Sequence, residues 1–183
     1  MRGYFGIGVE GVSKAMNVGN LFRSAHAFGA SFVFTVAASF EPKEGASDTS
    51  NALGQVPYYS FDGVESMRLP SGCALVGVEV VDDAVALPSF RHPRRAAYVL
   101  GMERGSLSPE MMQCLDHVVR IPTRFSLNLA AAGAVVMYDR MISLQRFGAR
   151  PVAPSGPVEP LPPHVFGEPA WKKKRGRRAG AGS

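Results

Sequence analysis

Residues Met16 to Ala30 read MNVGNLFRSAHAFGA, between two apolar runs, YFGIGVE (Tyr4–Glu10) and SFVFTV (Ser31–Val36). In the middle stretch Val18, Leu21, Phe22 and Ala25 recur at helical spacing, and Gly29 stands where such a helix would end. The flanking runs have the β-branched and aromatic content of strands. Strand, helix and strand in succession form the unit of a parallel sheet. The pattern does not require Asn17, Gly19, Asn20 and Arg23 together at the helix start, where one capping residue suffices. Alone, the segment has an ordinary explanation: Asn17 caps the helix, Gly19 permits close packing and Arg23 is solvated. In the alternative, Gly19 lets nucleic acid or substrate approach the helix start, and the amides and Arg23 converge on it.

The rest of the chain repeats the alternation. Residues 39–56 are polar and glycine-containing, which predicts a surface loop or short helix. PYYSF reads as a short strand, DGVESMRL as a helix opened by Asp62, and CALVGVEVV (Cys73–Val81) and AAYVLG (Ala96–Gly101) as strands. SPEMMQCL carries Ser108 as N-cap and Pro109 at the first helical position. HVVRIP predicts a further strand, and a long helix is expected from Leu127 to Phe147. The fold class that follows is α/β, a mostly parallel sheet with helices on both faces. One folded domain is expected over residues 1–150. Residues 151–183, rich in proline and glycine, read as a flexible basic tail.

Bulk properties narrow the function. The chain has 183 residues, 46% of them hydrophobic, which suits one domain with a real core. Its longest apolar run, Leu129 to Tyr138, is too short to cross a bilayer, and no membrane partner is expected. The N-terminal residues lack a signal-peptide pattern, so a cytoplasmic protein is expected. Cys73 and Cys114 lie far apart without a CxxC pair, which predicts free thiols in a reducing compartment and no metal site. Six basic residues against two acidic ones in residues 151–183 give the tail +4 of the net +5.

GIGVEG (Gly6, Gly8, Gly11) formally matches the dinucleotide fingerprint GxGxxG. That fingerprint needs a preceding strand and a helix opening within it, whereas these glycines fall inside the first strand, so an oxidoreductase is the weakest reading. VLGMERGSLSPE places Gly101 and Glu103 just past a strand end, where open parallel sheets bind ligands; a tight turn with an exposed glutamate explains it equally. IPTRFSLNLAAAG sets Ser126 and Asn128 at a helix start, and the small residues Ala130–Gly133 suit close approach of another backbone or helix.

These three segments, in this order, resemble the SpoU/TrmH family of SPOUT methyltransferases. Asn17, Gly19 and Arg23 represent its first motif, Leu100, Gly101, Glu103 and Leu107 its second, and Ser126, Leu127 and Asn128 its third. The resemblance covers about Gly3 to Arg146. Two departures stand out: Ser106 replaces a glycine of the second motif, with Gly105 one place earlier, and Ala130 replaces a frequent serine of the third.

The resemblance implies an RNA 2′-O-ribose methyltransferase that uses S-adenosylmethionine. It also implies a C-terminal deep trefoil knot and a homodimer. The implied catalytic set is Arg23, Asn17, Glu103, Ser126 and Asn128. The implied cofactor-binding residues are Leu100, Gly101, Ile121 and Leu127, with Val78 or Glu79 as a further candidate. A tRNA substrate is favoured over rRNA, because the chain looks like the short members without an added N-terminal RNA-binding domain. From the residues alone, Arg91, His92, Arg94 and Arg95, or Arg120 and Arg124, could contact phosphates or equally form a solvated face, and the basic tail could add non-specific RNA affinity. The rival readings are a non-catalytic RNA-binding protein of the same fold, an rRNA ribose methyltransferase, and a base-methylating SPOUT enzyme.

Overall fold

The structure, a computed structural model, describes residues 3–13, 15–39, 55–101 and 105–144. The expected tail (residues 151–183), Glu103 and most of the expected 39–56 loop lie outside the described residues. Seven strands form one sheet: β1 (Tyr4–Glu10), β2 (Phe32–Val36), β3 (Tyr58–Phe61), β4 (Ala74–Val78), β5 (Val85–Ala86), β6 (Arg95–Leu100) and β7 (His117–Arg120). Their order is β3-β2-β1-β6-β4-β7-β5. Each ladder among the described residues is parallel. No described helix is long and apolar enough to cross a membrane.

Three α-helices lie in this part of the chain: α1 (Ala15–Ala27), α2 (Pro109–Cys114) and α3 (Leu129–Leu144). Helices α1 and α3 cover one face, where Phe5, Ile7 and Val9 of β1 meet Val18, Leu21 and Phe22 of α1 and Val136 and Met137 of α3. The opposite face buries Phe32, Phe34, Leu75 and Val99 beneath Leu107 and Met111, so α2 and its approach loop complete the second layer. The small residues at the start of α3 serve contact within the chain: a Cβ on Gly133 would run into Leu21 of α1. The glycines of GIGVEG are explained by register. Gly6 pairs with Phe32 and Gly8 with Phe34, and both phenyl rings occupy the space that a Cβ would fill.

The element boundaries differ in instructive places. Helix α1 starts at Ala15, so Asn17 lies inside its first turn and not ahead of it. The helix expected at DGVESMRL is one 3₁₀ turn, Val64–Ser66, tied by the Ser66 hydroxyl and the Gly63 backbone. Pro70 and Gly72 follow too soon for another turn. Strand β4 stops at Val78, although Glu79 N still donates to Val119 O at 3.0 Å. The two-residue β5 at the sheet edge has no sequence pattern of its own.

At the N-terminal ends of the strands, a buried polar cluster anchors α3. Arg140, 5% exposed, donates to the carbonyl oxygens of Tyr4, Pro93 and Arg94 and to the Tyr98 hydroxyl, at 2.6–3.2 Å. Its guanidinium also lies 5.3 Å from the Phe5 ring centroid. His92 bridges the Tyr98 hydroxyl (2.6 Å) and the Asp139 carboxylate (2.9 Å). Asp139 only accepts, which assigns the His92 proton to Nε2 and leaves Nδ1 to accept from Tyr98. Burial lowers the His92 pKa, against the opposing pull of Asp139. His92 is therefore a core residue, not the phosphate ligand expected from its basic neighbours. Arg91, Arg94 and Arg95 are exposed at the same end of the sheet.

Candidate active site

At the opposite end of the sheet, adjacent strands β6, β4 and β7 stop at Leu100, Val78 and Arg120, and a cleft of about 440 Å³ opens above them. The described residues that build it come from residues 78–80 leaving β4, from 100–101 and 105–106 around the end of β6, and from 121–132 between β7 and the first turn of α3. Its apolar wall is Val78, Leu100, Ile121, Leu127 and Leu129, and Ser106, Thr123 and Ser126 supply hydroxyls. Glu79 is the one ionisable side chain among the described lining residues. The volume lies within the usual range for small-molecule sites, and carboxyl ends of parallel strands are where such sites form.

Local chemistry explains how the walls hold their shape. Thr123 Oγ1 donates to Phe125 O at 2.8 Å, and Thr123 N donates to Ile121 O, which folds residues 121–125 into a tight turn. Asn128 Oδ1 accepts from Ala130 N at 2.9 Å and so caps α3, a contact worth about 1 kcal/mol in general. Arg124 and Phe125 are exposed on this turn, Phe125 by 80%. A side chain on Gly101 would be tightly crowded: a Cβ would stand 3.1 Å from Leu107 N and 3.3 Å from Glu79 Oε2, so these neighbours would have to give.

The cleft gathers Val78, Leu100, Gly101, Ile121 and Leu127, together with Glu79 and Ser126. It does not gather the whole implied catalytic set. Asn17 and Arg23 are on α1, Arg23 exposed and Asn17 half-buried, and neither lines the cleft; nor does Asn128. Glu103 lies outside the described residues. Helices α1 and α3 both follow strands and pack side by side, so both begin at the cleft end of the sheet. Sequence reasoning missed Val80, Gly105, Thr123, Leu129 and Ala132 as lining residues, gave Glu10 no role and gave Ser108 only that of a helix cap. Their only advance signal is strand register, which one sequence does not display.

Residues 5–138 match the model of the SpoU rRNA Methylase family. The chain belongs to this family. A curated relative, the tRNA (guanosine(18)-2'-O)-methyltransferase TARBP1 of Mus musculus, is 24% identical over 137 residues, 70% of this chain and 9% of that protein. The AdoMet-bound rRNA methyltransferase of Sinorhizobium meliloti superposes with a TM-score of 0.70 at 21% identity, over 80% of this chain and 59% of that one. A structure concerned with the 2-OH methylation of C/U34 on tRNA gives a TM-score of 0.61 at 22% identity, over 79% of this chain and 92% of that one. The chain thus spans a small part of its curated SpoU relative and just over half of the rRNA methyltransferase. S-adenosylmethionine is the cofactor of this SpoU family. The cleft fits it: apolar walls suit a flat adenine, and hydroxyls with exposed backbone suit a ribose and an amino-acid moiety.

Proposed function

We propose that this protein is an S-adenosylmethionine-dependent RNA methyltransferase acting on a ribose 2′-hydroxyl, with tRNA favoured over rRNA. The observation that carries the reading is the cleft itself. In a SpoU chain, the second- and third-motif segments converge on it at the ends of three parallel strands. For the substrate class, the support is a tRNA-modifying relative and a tRNA-related structure of which 92% is covered.

Val78, Leu100, Gly101, Ile121 and Leu127 hold the cofactor in this reading. Bound S-adenosylmethionine supplies an activated methyl group on its sulfonium. The chain's own task is to align the 2′-hydroxyl and ease loss of its proton; alignment alone contributes about 7–11 kcal/mol at best. A guanidinium stays protonated in proteins, so Arg23 is assigned to stabilise the developing oxygen charge and an adjacent phosphate. Asn17, Glu103, Ser126 and Asn128 are assigned to orient Arg23 or the ribose. Exposed Arg124 and Phe125 on the cleft-side turn suit a phosphate and an unstacked base.

A homodimer and the C-terminal trefoil knot belong to the same reading. In favour of the dimer, Val135, Tyr138 and Ile142 are exposed at i, i+3 and i+7 on α3 while its other side is buried against the sheet. A helix apolar on both sides needs a second partner.

The test is transfer of labelled methyl from S-adenosylmethionine into separated tRNA and rRNA from cells lacking this gene, with wild type beside Arg23→Ala. Label in tRNA that resists alkaline cleavage at the methylated linkage, lost in Arg23→Ala while cofactor affinity is kept, is the expected result. Label in rRNA alone overturns the tRNA assignment. Full activity in Arg23→Ala overturns the role of Arg23. RNA binding without cofactor binding or transfer favours a non-catalytic RNA-binding protein.

A further inference from the structure

Across the middle of the sheet, β6 lies between β1 and β4. Leu100 of β6 pairs with Val9 of β1 on one side and with Val78 of β4 on the other. The next row, one residue further along each strand, is Glu10, Gly101 and Glu79. Alternation in the strands puts this row on the face covered by Leu107 and Met111. Two carboxylates therefore flank the glycine at which the chain leaves β6.

Both carboxylates receive the same returning segment. Glu79 Oε2 accepts from Leu107 N at 2.9 Å, while its Oε1 accepts from Val80 N at 2.8 Å. Glu10, 6% exposed, accepts from Ser108 N at 2.8 Å and from the Ser108 hydroxyl at 2.5 Å. The same hydroxyl accepts from Met111 N at 3.0 Å and caps α2. Successive residues 107 and 108 are thus tied to the strands on either side of β6, at the end where β6 stops. Gly101 is the complement of this arrangement, since a side chain there would push against Leu107 N and Glu79. Gly105 and Ser106, which line the cleft, directly precede the tied residues.

We propose that Glu10 and Glu79 are positioning residues, a pair of carboxylate clasps that fix the 105–108 segment as one wall of the cleft and so set cofactor affinity. The inference rests on the reading of that cleft as the S-adenosylmethionine site. A carboxylate suits the task because its bonds to N–H groups are charge-assisted, and two backbone donors at a chain reversal have no strand partner of their own. The segment is held by side chains from neighbouring strands together with its own Ser108 hydroxyl, so its geometry depends on residues far away in sequence.

The test compares Glu79→Ala, Glu79→Gln and Glu10→Gln with wild type in the full chain. The readouts are amide exchange at Leu107 and Ser108, the S-adenosylmethionine Kd, and Tm. Loss of one charge-assisted bond is expected to speed Leu107 exchange and weaken cofactor binding in Glu79→Ala by about tenfold or more each. Glu79→Gln, which keeps an acceptor oxygen, should recover most of both. Glu10→Gln should change exchange at Ser108 more than at Leu107. Unchanged Leu107 exchange in Glu79→Ala overturns the clasp. So does wild-type cofactor affinity in that variant, and so does a loss that follows Tm and is not rescued by glutamine. If wild type itself binds no S-adenosylmethionine, the cofactor reading fails, and the exchange rates alone judge the clasp.

Discussion

The two ends of the sheet solve one problem with opposite charges. Where the strands begin, backbone carbonyls at Tyr4, Pro93 and Arg94 converge, and the guanidinium of Arg140 satisfies all three from one buried position. Where they finish, backbone N–H groups of the returning loop converge, and Glu10 and Glu79 accept them. At the first end, Arg140, Tyr98, His92 and Asp139 form a continuous chain of hydrogen bonds that ties α3 to the sheet. The second leaves a cleft of about 440 Å³ beside its carboxylates. The difference teaches that one end is built for stability and the other for binding, and substitutions should separate the two properties.

The strongest way to break the comparison is Arg140→Met. It strips three carbonyls and a hydroxyl of their shared donor and should cost about 3–5 kcal/mol, the scale of a disrupted buried charged network. In a chain of this size that lowers Tm by roughly 10 °C, read by thermal denaturation. Arg140→Lys should rescue little, because an ammonium lacks the fork that reaches acceptors on several sides. A variant with unaltered Tm would mean that the anchoring of α3 lies elsewhere.

Gly101→Val probes the other end. Its side chain must displace the 106–107 backbone and Glu79, so cofactor affinity should fall by more than about tenfold while Tm shifts far less than in Arg140→Met. Isothermal titration beside a melting curve distinguishes the two. Equal losses of stability in both variants would erase the division between the two ends.

Tyr138→Glu addresses the exposed face of α3 and leaves both ends intact. If the proposed dimer forms through this face, sedimentation should show it replaced by monomer at micromolar concentration, with the fold retained. A wild-type chain that sediments as a monomer removes the need for this face to be covered.

The smallest effect concerns pH. An unfolded histidine titrates near about 6.5, and burial holds folded His92 below that value. Below about pH 6.5 the unfolded chain therefore binds more protons than the folded one, and stability falls as the pH drops through that value. The loss levels off once folded His92 is itself protonated. Urea midpoints across about pH 7.5 to 5.5 should slope downward for wild type and less so for His92→Gln. An identical slope in the variant would assign the effect to other groups.

Much of this was legible in the residues. Helical spacing in Val18, Leu21, Phe22 and Ala25, and apolar runs around it, were enough for a parallel α/β sheet, because periodicity reports which side of an element is buried. Ser108 and Pro109 marked the start of α2 through local capping chemistry. Leu100, Gly101, Ile121 and Leu127, which the family resemblance implied as cofactor-binding, line one cleft.

The sequence did not reveal what long-range pairing decides. GIGVEG read as part of the first strand, but only register explains its glycines, by placing Gly6 and Gly8 under the rings of Phe32 and Phe34. His92 looked like part of a basic cluster until Tyr98 and Asp139 closed around it. Arg140 was given no role, although it stands beside Asp139 in a mostly apolar helix. Glu10 and Ser108 are 98 positions apart and meet only because β1 and β6 are neighbours. By itself the sequence determined most of the element types and the polar residues near the strand ends, which depend on local spacing, and its three motifs carried the resemblance to the family. Only the tertiary structure decided which charges are buried and which backbone groups they satisfy, because those depend on strand order, and strand order is set by packing over the whole chain.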